Sequence, residues 1–201
     1  MKRAAFLLLL LSVLWIGSAT AGSDLKKHGK GLYAVVDTDM GVIVLRLFED
    51  KTPNTVANFV GLATGTKEYI HPIDKTKVKK RFYDGRLWHR VIPDFMIQTG
   101  CPLDQGGYEA GYTFNDEIRE DLTFNKPGMV AMANRGPNSN SCQWFITETA
   151  QPHLNGKMTI FGEVVEGMDT VGKIARVPTS GEWNKPVNPI RIKKLDIVRE
   201  E

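Results

Sequence analysis

From residue 32 onward the chain is a succession of short apolar runs cut by glycine, proline and charged residues. That rhythm predicts short strands rather than long helices. Tyr33 to Val36 begins a first strand, Asp37 to Gly41 is rich in turn formers, and Val42 to Phe48 forms a second strand, so the pair reads as a hairpin. Only two stretches follow helical spacing. In the first, Thr52 reads as an N-cap with Pro53 at the first helical position, Val56, Phe59, Val60 and Leu62 recur on one face, and Gly65 ends the run. The second spans Met168 to Arg176. Thr66 to Gly85 is polar and reads as a long loop. Further strand-like runs occupy Leu87–Ile92, Phe95–Gln98, Met129–Ala133, Trp144–Thr147 and Thr159–Val164, and a closing strand spans Pro189–Val198. Many short strands with two helices predict a mainly β domain, a closed antiparallel barrel capped by helices.

The first 21 residues break this pattern. Lys2 and Arg3 precede an almost unbroken apolar run from Ala4 to Ile16, and Ala19-Thr20-Ala21 follows as a small-residue cleavage pattern. The segment reads as a secretory signal peptide cut after Ala21. Its apolar run falls short of the roughly 18–20 residues that span a bilayer, so no stable membrane anchor is expected after cleavage. Residues 22–31 are polar and glycine-containing and read as a flexible leader, leaving 32–201 as one domain. The short basic start favours a bacterial periplasm; a secreted or endoplasmic reticulum location fits the same signal.

Composition narrows the classes further. At 42% hydrophobic and 24% charged, the chain has enough apolar content for a core and is not of disordered type. The formal charge of +3 falls toward neutrality once Lys2 and Arg3 are removed, which gives no reason to expect nucleic acid as a partner. The basic group Lys75, Lys77, Lys79, Lys80 and Arg81 reads as a solvated loop. Nothing points to an oligomer, so a monomer is expected. Cys101 and Cys142 have no C-x-x-C spacing and no paired histidines, so no metal site is expected. Each lies close in sequence to a glutamine, Gln98 or Gln143, and export permits a disulfide between them; two free buried thiols fit equally.

The chain carries no G-x-S-x-G elbow, P-loop, H-E-x-x-H or dinucleotide fingerprint. Asp116, Glu117 and Glu148 lack any flanking pattern and read as surface charges. Two stretches stand out instead: Trp88 to Gly100, with Arg90, Phe95, Met96 and Gln98, and Gly128 to Phe145, with Ala133, Asn134 and Gln143. Each mixes large apolar side chains with amide or guanidinium groups. Taken singly, Arg90 fits a surface ion pair, Phe95, Met96 and Phe145 fit a core, and Gln98 and Gln143 fit buried structural amides.

Together these segments resemble the signature of the cyclophilin family of prolyl isomerases. Asn54 to Phe59, Leu154 to Lys157 and Phe161 to Met168 extend the resemblance, which runs from about Leu32 to Val198 in the family's order. The resemblance implies an eight-stranded barrel, no metal or organic cofactor, and proline-containing polypeptides as partners. It implies that Arg90 is the catalytic arginine, with Gln98 and the Asn134 backbone holding the acyl side. Phe95, Met96, Phe145 and Leu154 would wall the proline pocket, Gln98 and Gln143 would form its polar rim, and Ala133 with Asn134 would supply the backbone segment that pairs with the substrate. The sequence departs from the family at His153, where many members carry tryptophan, and at Met158, where a pocket histidine is common. Both remain candidate substrate-binding positions. Trp88 and Trp144 stand where phenylalanine is usual and are expected to alter packing only.

Overall fold

The computed structural model describes residues 25–181 and 183–201. The expected signal peptide lies outside the described residues. No described helix is long and apolar enough to cross a membrane.

Eight strands form one sheet: β1 (Gly31–Thr38), β2 (Gly41–Leu47), β3 (Arg90–Ile92), β4 (Met96–Thr99), β5 (Met129–Met132), β6 (Trp144–Thr147), β7 (Ile160–Glu166) and β8 (Ile192–Glu200). Helix α1 spans Pro53–Thr64 and α2 spans Met168–Ala175. The strand order is β8-β1-β2-β7-β5-β6-β4-β3, and every pairing is antiparallel.

The expected closed barrel is not what forms. The sheet curls into a half-barrel, and its edge strands β3 and β8 do not pair. The reason lies at the edge of β3. The Val91 N–H donates to the Asn184 carbonyl at 3.0 Å, so a small hairpin, Thr179–Ser180 against Lys185–Pro186, covers that edge. The seam is stitched upstream instead, by a single Leu87–Arg191 bridge and by Trp88 N–H to Ile190 O at 3.0 Å.

Inside the curl lies the main core. Phe59, Tyr83, Trp88 and Trp144 are all fully buried. Trp144 meets Phe59 and Trp88 edge to face, with centroids 5.5 and 5.4 Å apart, so both tryptophans serve packing, as expected. Helix α1 contributes Val56, Phe59, Leu62 and Ala63, and α2 adds Val171, Ile174 and Ala175. Gly65 ends α1 at φ 76, and a Cβ there would lie 2.7 Å from the Arg81 nitrogen, so glycine is required twice over.

Three expectations change in detail. Thr52 does not cap α1; its hydroxyl donates to the Phe48 carbonyl. The 66–85 loop holds a two-residue strand pair, Tyr69–Ile70 with Lys77–Val78, and Arg81 leaves the solvated basic group to bond Asp84, Asp196 and the Leu195 carbonyl. The leader is not loose from Leu25 on: Leu25–His28 forms a 3-10 turn whose leucine is buried with Tyr33 and Val44.

Candidate active site

The strand register decides which side chains face out of the half-barrel. Arg90 pairs with Gln98 across β3 and β4, Gln98 with Phe145 on β6, and Phe145 with Ala131 on β5. Alternation puts this row on the outer face, while Val91, Ile97, Ile146 and Val130 form the adjacent row on the inner face. The packing agrees: the inner row belongs to the main core, and Met96, Phe145, Ala131, Leu154 and Ile160 form a separate apolar cluster with Phe95 and Met158 against it.

Above that cluster opens a cavity of about 420 Å³. Phe95, Met96, Phe145, Leu154 and Met158 supply apolar walls, and Arg90, Gln98, Gln143, Ala133 and Asn134 line the rest. The structure thus brings together ten of the eleven residues singled out for binding or catalysis. His153 is the exception. It is exposed and does not line the cavity; its ring packs on Phe95 with centroids 6.0 Å apart.

The polar edge is a chain of fixed donors. The Gln143 side-chain amide donates to the Tyr108 carbonyl at 2.8 Å, and its oxygen accepts from Gln98 at 3.0 Å. The Gln98 oxygen in turn accepts from Arg90 Nη1 at a long 3.4 Å. Both amides are therefore oriented by their partners rather than free to flip. Arg90 is half-buried, and among the described residues no carboxylate pairs with it. Burial pulls its pKa below the usual guanidinium value. A partly desolvated cation without a counter-ion seeks an acceptor. Beside it the Ala133 N–H is spent on the Gln143 carbonyl, and the Asn134 side chain donates to Lys157 O and Asp116. Among the described residues, neither the N–H nor the C=O of the Asn134 backbone has a partner, so a peptide strand can pair there.

Residues 33–197 match the family model described as cyclophilin type peptidyl-prolyl cis-trans isomerase/CLD. The chain belongs to the cyclophilin family. It is a peptidyl-prolyl cis-trans isomerase of that type. It is 45% identical over 166 residues to peptidyl-prolyl cis-trans isomerase A of Mycobacterium tuberculosis, covering 82% of this chain and 91% of that one. To peptidyl-prolyl cis-trans isomerase B of Streptomyces anulatus it is 43% identical, covering 82% of this chain and 95% of that one. Among solved structures, a Cryptosporidium parvum cyclophilin type isomerase aligns with a TM-score of 0.73 at 28% identity, covering 84% of this chain and 98% of that one. The same Cryptosporidium protein, crystallised in the presence of the dipeptide Ala-Pro, aligns at 0.71, with 29% identity and 84% and 99% of the chains covered.

Other cyclophilin-site features were not legible in the sequence. Gly107, Glu109, Arg135, Ser139, Ser141 and Trp183 also line the cavity. Arg135 and Glu109 form an ion pair at 3.0 Å, and Trp183 is 61% exposed. A lone exposed tryptophan between glycine and proline was the one available signal. Cys101 and Cys142 are both buried free thiols, so the disulfide weighed from the sequence is absent here. Burial pushes the Cys142 thiol up to about 12, which leaves it protonated and unreactive.

Proposed function

We propose that this isomerase accelerates rotation about X–Pro bonds in exported polypeptides, with Arg90 as the catalytic residue. The prolyl amide is planar because its nitrogen lone pair is delocalised into the carbonyl, and rotation faces a barrier of roughly 18–20 kcal/mol. Catalysis needs neither a nucleophile nor a proton transfer; it needs a twisted amide bound better than a planar one. The proline ring seats on Phe95, Met96, Phe145 and Leu154. The Asn134 backbone pairs with the peptide strand, and Gln98 steadies the acyl side. The Arg90 guanidinium then faces the proline nitrogen and donates to its lone pair, which is available only once conjugation is lost. That bond exists in the transition state and not in the ground state, so it lowers the barrier rather than merely tightening binding.

The observation that carries this reading is the half-buried guanidinium of Arg90 at the edge of an apolar cavity, with no carboxylate partner among the described residues. The chain acts as a monomer and needs no cofactor, since every group used is a side chain or backbone amide. Its clients are exported because residues 1–21 read as a signal peptide, with the periplasm as the site of action.

A protease-coupled assay on an X–Pro peptide tests the catalytic assignment. Arg90→Ala is expected to lower kcat/KM by about 10²-fold, as for the loss of one transition-state donor, with the fold retained. Equal rates for the two proteins would instead assign the cavity to binding without turnover.

A further inference from the structure

We propose that Glu148 and Arg176 are positioning residues for this site: they lock the Asp94 turn and thereby fix the Phe95 wall of the proline pocket. The proposal rests on the prolyl reading above and adds residues that touch no part of the cavity.

Phe95 does not stand on a strand. It ends the turn Pro93-Asp94-Phe95 between β3 and β4, and Asp94 holds φ at 58°. A non-glycine residue enters that left-handed region against a steric penalty, so something must hold it there. The surroundings supply a complete clamp. The Asp94 N–H donates to Glu148 Oε2 at 2.6 Å. The Asp94 carbonyl accepts from Thr149 Oγ1 at 2.6 Å and from Gln151 Nε2 at 2.9 Å. The Asp94 carboxylate accepts from Arg176 Nη2 at 2.9 Å, while the other arm of that guanidinium pairs with Glu148. The next peptide is held as well, by Glu148 N–H to Phe95 O at 2.8 Å.

Glu148 is the hub. Its side chain is 7% exposed, and both oxygens are engaged, one by a backbone N–H and one by Arg176. A buried carboxylate is retained only where its partners are in place. Here those partners are the turn and the C-terminal end of α2. The clamp therefore couples α2 to the turn, and through the turn to one wall of the pocket.

Phe95 grips the proline ring alike in planar and twisted amides. Loosening it removes uniform binding, which raises KM and spares kcat, whereas loss of Arg90 strikes kcat. Steady-state kinetics on an X–Pro peptide would compare Arg176→Ala and Glu148→Gln, each alone and with Phe95→Ala. Each single variant is expected to raise KM about fivefold with kcat within about twofold, and to add nothing further once Phe95 is alanine, as residues acting through one another do. An unchanged KM in folded Arg176→Ala, a fall in kcat matching the rise in KM, or an equal effect in the Phe95→Ala background would overturn the clamp. Should Glu148→Gln fail to fold, half-exposed Arg176 carries the test alone. If the wild-type chain binds the peptide without turning it over, the prolyl reading fails separately. The same cycle is then read in peptide Kd, and Arg176→Ala must still weaken binding about fivefold.

Discussion

His89 sits one residue before Arg90 and is buried where its neighbour is half-buried. It is 3% exposed, and neither ring nitrogen has a hydrogen-bond partner. Burial pushes its pKa from 6.5 down to about 4. The unfolded chain therefore binds a proton that the folded chain refuses between those values. Stability is complete above pH 6.5 and declines as pH falls toward 4, by roughly 3 kcal/mol over the window. Urea midpoints measured at pH 7, 5.5 and 4.5 should show that slope in the wild type and lose most of it in His89→Gln. Carboxylates such as Glu117 and Glu166 are held below their ordinary 4.5 and titrate beneath most of this range. At this scale alternation within a strand was legible, but the Pro93-Asp94 bend left the parity of Arg90 and Gln98 open, and it is the register of the folded sheet that sets Arg90, Gln98 and Phe145 on one face. It was silent on Glu148, read as a surface charge, because its partner Asp94 lies 54 residues away and no local pattern marks the pair.

Helix α1 shows the same division one level up. Its position, the proline at its start and the glycine at its end were legible, since each is a local preference. Its cap was not. Thr52 has the right chemistry but turns its hydroxyl back to Phe48, and Glu117 arrives from a distant loop to do the capping. One Glu117 oxygen accepts from the N–H and side chain of Asn54, and the other from the N–H and hydroxyl of Thr55. Burial by itself raises that carboxyl, but the bonds from Thr55 and Asn54 together outweigh it and leave the pKa lowered. Glu117→Ala should cost about 1–2 kcal/mol at neutral pH, the usual value of a helix cap with a charged acceptor, read as a shift in urea midpoint. That contribution is present above pH 4.5 and disappears as pH falls through the lowered folded value, so the variant and wild type should converge in acid. The two-residue strands at Tyr69–Ile70 and Thr179–Ser180 escaped notice for a simpler reason: two residues carry no period.

Across the whole molecule, one of these short hairpins separates the expected closed barrel from the half-barrel that forms, because Asn184 takes the edge that β8 would need. In the other half of the sheet, the N-terminal turn packs on one face of β1 and β2. Leu25 is 6% exposed against Tyr33 and Val44. The Tyr33 hydroxyl reaches the His28 and Gly29 carbonyls at 2.9 Å each, and Glu166 pairs with Lys27 and His28 at 2.7 Å. These contacts make residues 25–30 part of the domain, against the flexible leader expected there. A signal cut after Ala21 would leave every one of them in the mature chain. On the export reading proposed above, the mature protein should begin at Gly22 by intact mass. A shorter form beginning at Gly31 should lose about 2 kcal/mol of stability, the worth of one buried leucine, with kcat/KM unchanged because the turn lies away from the cavity. Retention of residues 1–21 would contradict the export reading, and equal urea midpoints for the two forms would contradict the docked turn.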